Sequence, residues 1–314
     1  MKTPSRVRII EVGLRDGLQN EKTVLDVETR VEFAKRLAQA GVKEIELGAF
    51  VSPQWVPQMA GSHELVSKVV SLKREKGNSG ALDFKKVRLS ALVPNLKGLE
   101  GAKQSGVERI AIFASASEAF SKKNINCTIK ESLVRYREVV DQALASKITV
   151  RGYLSMCFGC PFEGKVSETK VVKLAEKLLA MGCDEISIGD TIGVADPVQV
   201  KRRGKALKAA LGKDAMAMHF HDTRGTALAN ILESLEIGIT SFDSSLGGLG
   251  GCPYAPAATG NVATEDVVYM LHRMGVKTGL SLESLIETSR WLQPKMGREL
   301  PSKVSRAGLP RIIS

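Results

Sequence analysis

The stretch SETKVVKLAEKLLAMGCDEISIGD, residues 167–190, contains a helix and a strand in one run. Ser167 opens the helical segment, Gly182 closes it, and the β-branched and apolar run CDEISIGD follows at once. The same device recurs in DVETRVEFAKRLAQAG, where Val27, Val31, Ala34 and Ala38 share one stripe between the N-cap candidate Asp26 and Gly41. It recurs again in TEDVVYMLHRMG, from Thr264 to Gly275.

Working outward, short strand-like runs alternate with such helical patterns along the chain. They are VRIIEVG (7–13), VKEIELGAF (42–50), VRLSALVP (87–94), VERIAIFAS (107–115), ITVRGYLS (148–155), CDEISIGD (183–190), AMAMHFHD (215–222) and ITSFDSSLG (239–247). Strict alternation favours a parallel sheet with helices outside, and eight units close a (β/α)8 TIM barrel. The expected α/β fold is therefore a catalytic barrel over residues 1–280, with residues 281–314 as extra C-terminal helices packed on it. A doubly wound open sheet is the rival, but no GxGxxG follows the first strand and no Walker A motif occurs.

With 314 residues, 43% hydrophobic and 25% charged, the chain has globular values, and no apolar run approaches the roughly 18 residues of a membrane span. The start, MKTPSRVRIIEVG, passes within a few residues into a strand-like run, which leaves no room for a signal or transit segment. A cytoplasmic enzyme without a membrane partner is the expectation. Five cysteines are an odd count for a disulfide framework, and the pair Cys157 and Cys160 has no second CxxC, so packing or substrate lining is the expected role. The net charge of +11 is spread over helical segments such as KRRGKALKAALGK without interleaved aromatics, which argues for a solvated face and against a nucleic-acid partner.

In a barrel of this kind the reactive residues gather at the C-terminal ends of the strands. Side chains alternate along a strand, so His219 and His221 point one way with Ala215 and Ala217, while Met216, Met218 and Phe220 point toward the helices. Two imidazoles at that spacing can bind one metal ion. Asp16 at the end of the first strand is the natural third ligand, a hard carboxylate that biases the site toward Mg²⁺ or Mn²⁺. Arg15 beside it can present a permanent cation to a developing oxyanion. On the second strand Glu44, Glu46 and Gly48 share a face, which places Glu46 to orient Arg15. Asp190 stands at the rim, either in the site or in a turn. The loop GGLGGCPYAPAATGN has five glycines in fifteen residues, carries Cys252 at its middle and Asn261 at its far end, and reads as a lid that delivers a thiol. Asn261 can reach the metal. His63 and His272 lie on helical segments and have no assigned role.

Together the segments EVGLRDGLQNEK, FVSPQWVPQM, KKNINCT, RGYLSMCFGCPFEGK, EISIGDTIGV, HFHDTRG and GGLGGCPYAPAATGNVATEDVVYML resemble the 3-hydroxy-3-methylglutaryl-CoA lyases of the DRE-TIM metallolyase superfamily. The resemblance implies cleavage of (S)-3-hydroxy-3-methylglutaryl-CoA to acetyl-CoA and acetoacetate, a leucine-degradation and ketone-body type of reaction, with Mg²⁺ or Mn²⁺. It implies a metal site of Asp16, His219, His221 and Asn261, an enolate-stabilising Arg15, supporting carboxylates Glu46 and Asp190, and a loop thiol at Cys252. Coenzyme A would meet Lys22, Lys122, Lys123 and Asn124 after strands one and four. Many barrels of this family pair, so a homodimer is open.

Single-residue departures in LGAFVSP and VGLRDG, and Met156 before CFGC, leave room for a lyase acting on a longer branched thioester such as isohexenylglutaryl-CoA or on citramalyl-CoA. Claisen-condensing synthases of the isopropylmalate and homocitrate type share the HxH and the Arg-Asp turn but lack the GGLGGCP loop.

Overall fold

The computed structural model describes residues 3–74, 84–251 and 260–310. Its eight strands, β1 (Arg8–Glu11), β2 (Glu44–Ala49), β3 (Arg88–Leu92), β4 (Arg109–Ser115), β5 (Thr149–Ser155), β6 (Glu185–Asp190), β7 (Met216–Phe220) and β8 (Ser241–Ser244), close into one barrel in chain order. Every neighbouring pair is parallel, including β8 with β1. Each strand falls inside the run read as strand from its apolar, β-branched composition, because strands covered on both faces need such residues.

The helices between the strands are α1 (Val27–Gln39), α2 (Ser62–Arg74), α3 (Leu96–Ser105), α4 (Glu118–Ile125), α5 (Ile129–Ala145), α6 (Glu168–Met181), α7 (Pro197–Leu211) and α8 (Ala227–Glu236). After β8 come α9 (Thr264–Arg273), α10 (Leu282–Met296) and α11 (Lys303–Ala307). Asp26 caps α1 by accepting from Thr29 N, as its position suggested. Gly182 ends α6 at φ 116°, a left-handed conformation that favours glycine, and the chain turns straight into β6. Ser167 occupies the N-cap of α6 without a side-chain capping bond. α9 begins at Thr264, as read, with Ala263 as its N-cap and the Thr264 hydroxyl donated to Glu11.

The large apolar core lies between the strands and the helices, where Met216, Met218 and Phe220 are buried as expected. Ile10, Val12 and Ala217 form a small apolar group apart from it, on the inward side of β1 and β7. Ala215 belongs to a 3-10 turn before β7 and packs on the outer core, so only Ala217 accompanies the histidines. Gly48 is also corrected. The register of β2 against β3 shifts between Glu46 and Ala49, and this irregularity turns Gly48 outward, where a Cβ would meet Ser62 Oγ of α2 at 2.7 Å.

Inside the barrel the packing is ionic. Arg151 of β5 pairs with Asp243 of β8 at 2.7 Å, and Arg109 of β4 pairs with Glu44 of β2. These strands are not neighbours, so the partners meet across the lumen. All four side chains are buried, and pairing with hydrogen bonds is what makes such burial tolerable.

The C-terminal helices lie against the barrel's outer layer, α10 on α1 and α9, and α11 on α9 and α10. Asp266 of α9 accepts from Ser302 Oγ at 2.8 Å and from the backbone N–H groups of Lys303 and Val304, tying down the start of α11.

Candidate metal centre and active site

β1 does not end in an ordinary loop. It passes into a single π-helical turn, Gly13–Gly17, in which the N–H groups of Arg15 and Gly17 both return to Val12 O at 3.1 Å. Such wide turns recur at functional sites, because they re-aim consecutive side chains. Gly17 permits the approach of the neighbouring turn, since a Cβ there would stand 2.6 Å from Ser245 Oγ. The turn presents Arg15 and Asp16 together at the C-terminal end of the barrel.

Among the described residues, Asp16, His219 and His221 form a cluster with one potential ligand atom each, all within 4.8 Å of one another. The two imidazole rings lie 5.2 Å apart, centroid to centroid, with His219 on β7 and His221 one residue past its end, where the run read as strand gives way to an isolated bridge. Asn261 is brought in by a bridge between its backbone and that of His221, and its Nδ2 donates to Asp16 Oδ2 at 2.9 Å. Two polar atoms of this group, His221 Nδ1 and Asn261 Oδ1, are buried without a hydrogen-bond partner. Such orphaned atoms are costly unless something occupies them, and a carboxylate, two imidazoles and an amide oxygen suit a mixed N/O divalent ion. The four residues therefore fit a metal ion.

The electrostatics agree. Burial alone would raise Asp16, but Arg15, His219 and His221 outweigh it and hold the carboxyl down at about 2. Burial, with repulsion from His219, lowers His221 to about 4, so its ring is neutral and ligand-ready near neutral pH. For His219 burial is outweighed by the carboxylates of Asp243 and Asp16, which raise it.

Arg15 is nearly fully buried beside the cluster. Its Nε donates to Glu46 Oε2 at 2.5 Å, its Nη1 donates to Asp16 Oδ1 at 2.5 Å, and its guanidinium lies 5.0 Å from the centroid of the Tyr153 ring. The structure thus places Glu46 against Arg15, as the alternation along β2 suggested. Asp190 closes the turn after β6, accepting from the N–H groups of Val194 and Ala195 at 3.0 Å each. Burial pushes its carboxyl up to about 6 against those two bonds.

Lys22 follows β1, while Lys122, Lys123 and Asn124 lie on α4, directly after β4; all four are exposed and belong to segments that leave the same end of the barrel. Lys123 Nζ sits 4.0 Å from the centroid of the Phe162 ring. Cys252 lies outside the described residues. Cys157 and Cys160 are buried free thiols, with Cys157 Sγ bonded to Leu154 O and Cys160 Sγ 3.0 Å from Ser117 Oγ, which fits packing. His272 bonds Thr278 and His63 packs edge-on to Phe50, away from the cluster.

Three residues of the site escaped the reading of the sequence. Asp243 on β8 holds His219 Nδ1 at 3.2 Å, Arg151 on β5 holds Asp243, and Tyr153 donates its hydroxyl to Glu46 Oε2 at 3.0 Å. The available signal was polar residues at alternate positions, Arg151 with Tyr153 and Ser241 with Asp243, in strands that must be buried on both faces.

Comparison with known proteins agrees with this architecture. A family model described as HMGL-like matches residues 6–292. Over 99% of its length the chain is 49% identical to the mitochondrial hydroxymethylglutaryl-CoA lyase of Arabidopsis thaliana, and it spans 64% of that longer protein, just under two thirds. It is 45% identical, over 99% of its own length and 100% of the other, to a Pseudomonas aeruginosa protein named 3-hydroxy-3-isohexenylglutaryl-CoA/hydroxy-methylglutaryl-CoA lyase. The crystal structure of hydroxymethylglutaryl-CoA lyase from Pseudomonas aeruginosa superposes with a TM-score of 0.91 at 46% identity, covering 98% of each chain. On the matched residues and the identity along nearly its whole length, the chain belongs to the HMGL-like family.

Proposed function

We propose that the chain is a divalent-metal-dependent carbon–carbon lyase that cleaves (S)-3-hydroxy-3-methylglutaryl-CoA to acetyl-CoA and acetoacetate. The observation that carries this reading is the convergence of Asp16, His219, His221 and Asn261 beside a buried arginine at the end of the barrel. Residues 1–280 act as the catalytic barrel, residues 281–314 as its helical extension, and the enzyme works in the cytoplasm. Among the described residues no helix is long and apolar enough to cross a membrane.

The four residues would hold Mg²⁺ or Mn²⁺, which when bound would acidify the tertiary C3 hydroxyl and steady a substrate carboxylate oxygen. In the reaction the C2–C3 bond breaks, its electron pair passes into the thioester fragment as an enolate, and C3 becomes the ketone of acetoacetate. Arg15, locked between Glu46 and Asp16, stands ready to stabilise the enolate oxygen without reorganising. The hydroxyl proton passes to an acid–base group at the metal site, for which Asp190 is the candidate, since His219 has Nδ1 engaged by Asp243 and Nε2 turned to the ion site. Cys252 supplies or relays the proton to C2 of the nascent acetyl group. Lys22, Lys122, Lys123 and Asn124 receive the coenzyme A phosphates.

The double name of the Pseudomonas relative favours one further reading, a longer branched 3-hydroxyacyl-CoA as substrate. Both readings are tested by a cleavage assay with HMG-CoA and isohexenylglutaryl-CoA side by side, with EDTA and after Mn²⁺ is restored. Metal-dependent release of acetoacetate supports the first reading, and cleavage of the longer thioester alone supports the second. Condensation of acetyl-CoA with a 2-oxo acid, with neither thioester cleaved, would discard both.

A further inference from the structure

Glu11, the last residue of β1, is fully buried, and its hydrogen-bond partners include none of the proposed ligands. Its Oε1 accepts from Gly13 N at 2.8 Å and from Leu246 N at 2.9 Å, and its Oε2 accepts the Thr264 hydroxyl at 2.6 Å. These three donors lie on separate stretches of chain. Gly13 opens the π-turn that carries Arg15 and Asp16, Leu246 opens the turn after β8, and Thr264 starts α9 just beyond Asn261.

We propose that Glu11 is a positioning residue that fixes the Asp16 arm and the Asn261 arm of the metal centre relative to each other. The inference rests on the reading of Asp16, His219, His221 and Asn261 as ligands of one ion. Asp16 and Asn261 are 245 positions apart in sequence, yet Asn261 Nδ2 must meet Asp16 Oδ2 at 2.9 Å. One rigid carboxylate that bonds the backbone or hydroxyl at the root of each arm sets that distance. The fit leaves no slack, since a Cβ on Gly13 would lie 2.6 Å from Glu11 Oε1.

The role is one of hydrogen-bond acceptance and does not need the charge. Burial pushes the Glu11 carboxyl up to about 7 against its three donors. Glutamine can meet the same partners. Its Oε1 accepts both N–H groups, and its NH₂ donates to Thr264 Oγ1, which can then give its own hydrogen to Ser244 Oγ at 2.8 Å. Alanine instead leaves the N–H groups of Gly13 and Leu246 buried without an acceptor.

The test is Mn²⁺ affinity of the whole protein without substrate, read by calorimetry well below the unfolding midpoint of each variant. Glu11→Ala is expected to weaken Mn²⁺ binding by about tenfold or more, and Glu11→Gln to restore it to within about threefold of wild type. A residue that only stabilises the fold would lower the midpoint and leave the affinity of the folded protein unchanged, and that result in Glu11→Ala overturns the inference. So does a Glu11→Gln variant as weak as Glu11→Ala. If Glu11→Ala does not fold, Thr264→Val severs one tie; about threefold weaker Mn²⁺ binding supports the inference, and wild-type affinity overturns it. A wild-type protein that binds no Mn²⁺ overturns the ligand reading itself, and this inference with it.

Discussion

Asp243 Oδ2 stands 3.2 Å from His219 Nδ1, and that contact decides which side of the imidazole faces the site. With Nδ1 engaged, Nε2 is the nitrogen turned toward Asp16, 3.8 Å from its Oδ2. Asp243 is itself immobilised by Arg151 Nη2 at 2.7 Å and by the Ser187 hydroxyl at 2.7 Å. Burial alone would raise the Asp243 carboxyl, but Arg151 and His219 hold it far below the usual carboxylate range. It is therefore an ionised acceptor at any working pH. The ionic lumen of the barrel thus serves the site directly, as a scaffold running from Arg151 through Asp243 to His219.

Asp243→Asn tests that scaffold. An asparagine amide can donate to Nδ1 and favour the tautomer that places a hydrogen on Nε2, the nitrogen needed for an ion. Mn²⁺ affinity is expected to fall by about 10- to 100-fold, the usual cost of losing a partner behind a metal-bound histidine. Calorimetric titration checks it, and an unchanged affinity would show that His219 is oriented without Asp243.

Arg15→Lys separates charge from geometry. Lysine keeps the cation but cannot donate from one nitrogen to Glu46 and from another to Asp16 in a fixed plane. The expected outcome is a kcat lower by about 10²- to 10³-fold with Mn²⁺ affinity within a few fold of wild type. Steady-state kinetics beside a metal titration give both numbers. A parallel collapse of metal binding would make Arg15 a prop for Asp16 and take the enolate role away from it.

Tyr153→Phe probes the floor under Arg15. The lost hydroxyl donates to Glu46 Oε2 and accepts from Arg151 Nη1 at 3.0 Å, so two buried groups lose a partner at once. A destabilisation of about 1–3 kcal/mol is expected from that loss. Turnover should fall less than in Arg15→Lys, because Arg15 keeps its direct bond to Glu46. Urea unfolding and kcat together check the ordering.

The strands and most helix ends were legible because parallel barrel strands and amphipathic helices leave local patterns: β-branched runs, a capping Asp26, a closing Gly182. His219 and His221 were legible for the same reason, since alternation along β7 needs no knowledge of the rest of the chain. What could not be read locally was anything set across the barrel. Arg109, Arg151, Glu185 and Asp243 look like scattered polar residues until β2, β4, β5, β6 and β8 are arranged around one lumen. The irregularity in β2 was harder to read, because Gly48, a glycine inside a strand, is the one local mark of it and does not say where the extra residue falls or which way the chain then faces. Thr264 has the form of an N-cap, and only the position of Glu11, over 250 residues earlier, claims its hydroxyl for another purpose.

Glu265 gives a prediction in pH. It lies in the first turn of α9, where Oε2 accepts from Gly247 N at 2.8 Å and Oε1 accepts the Ser305 hydroxyl at 2.6 Å, so it ties the turn after β8 to α11. Burial pushes its carboxyl up to about 7, from an ordinary value of 4.5, against those hydrogen bonds. Between these two values the folded protein holds a proton that the unfolded chain has lost, so this group's contribution to stability is full below about 4.5 and shrinks as pH rises to about 7. Glutamine carries no such proton. The stability of Glu265→Gln minus that of wild type should therefore climb across the window, by on the order of 3 kcal/mol in all, and level off above pH 7.5. Urea unfolding of the metal-free proteins at intervals from pH 5 to 8.5 measures it. A difference that stays constant with pH would mean that Glu265 titrates as an ordinary carboxylate in the folded protein, and that the tie between the β8 turn and α11 is reached by water.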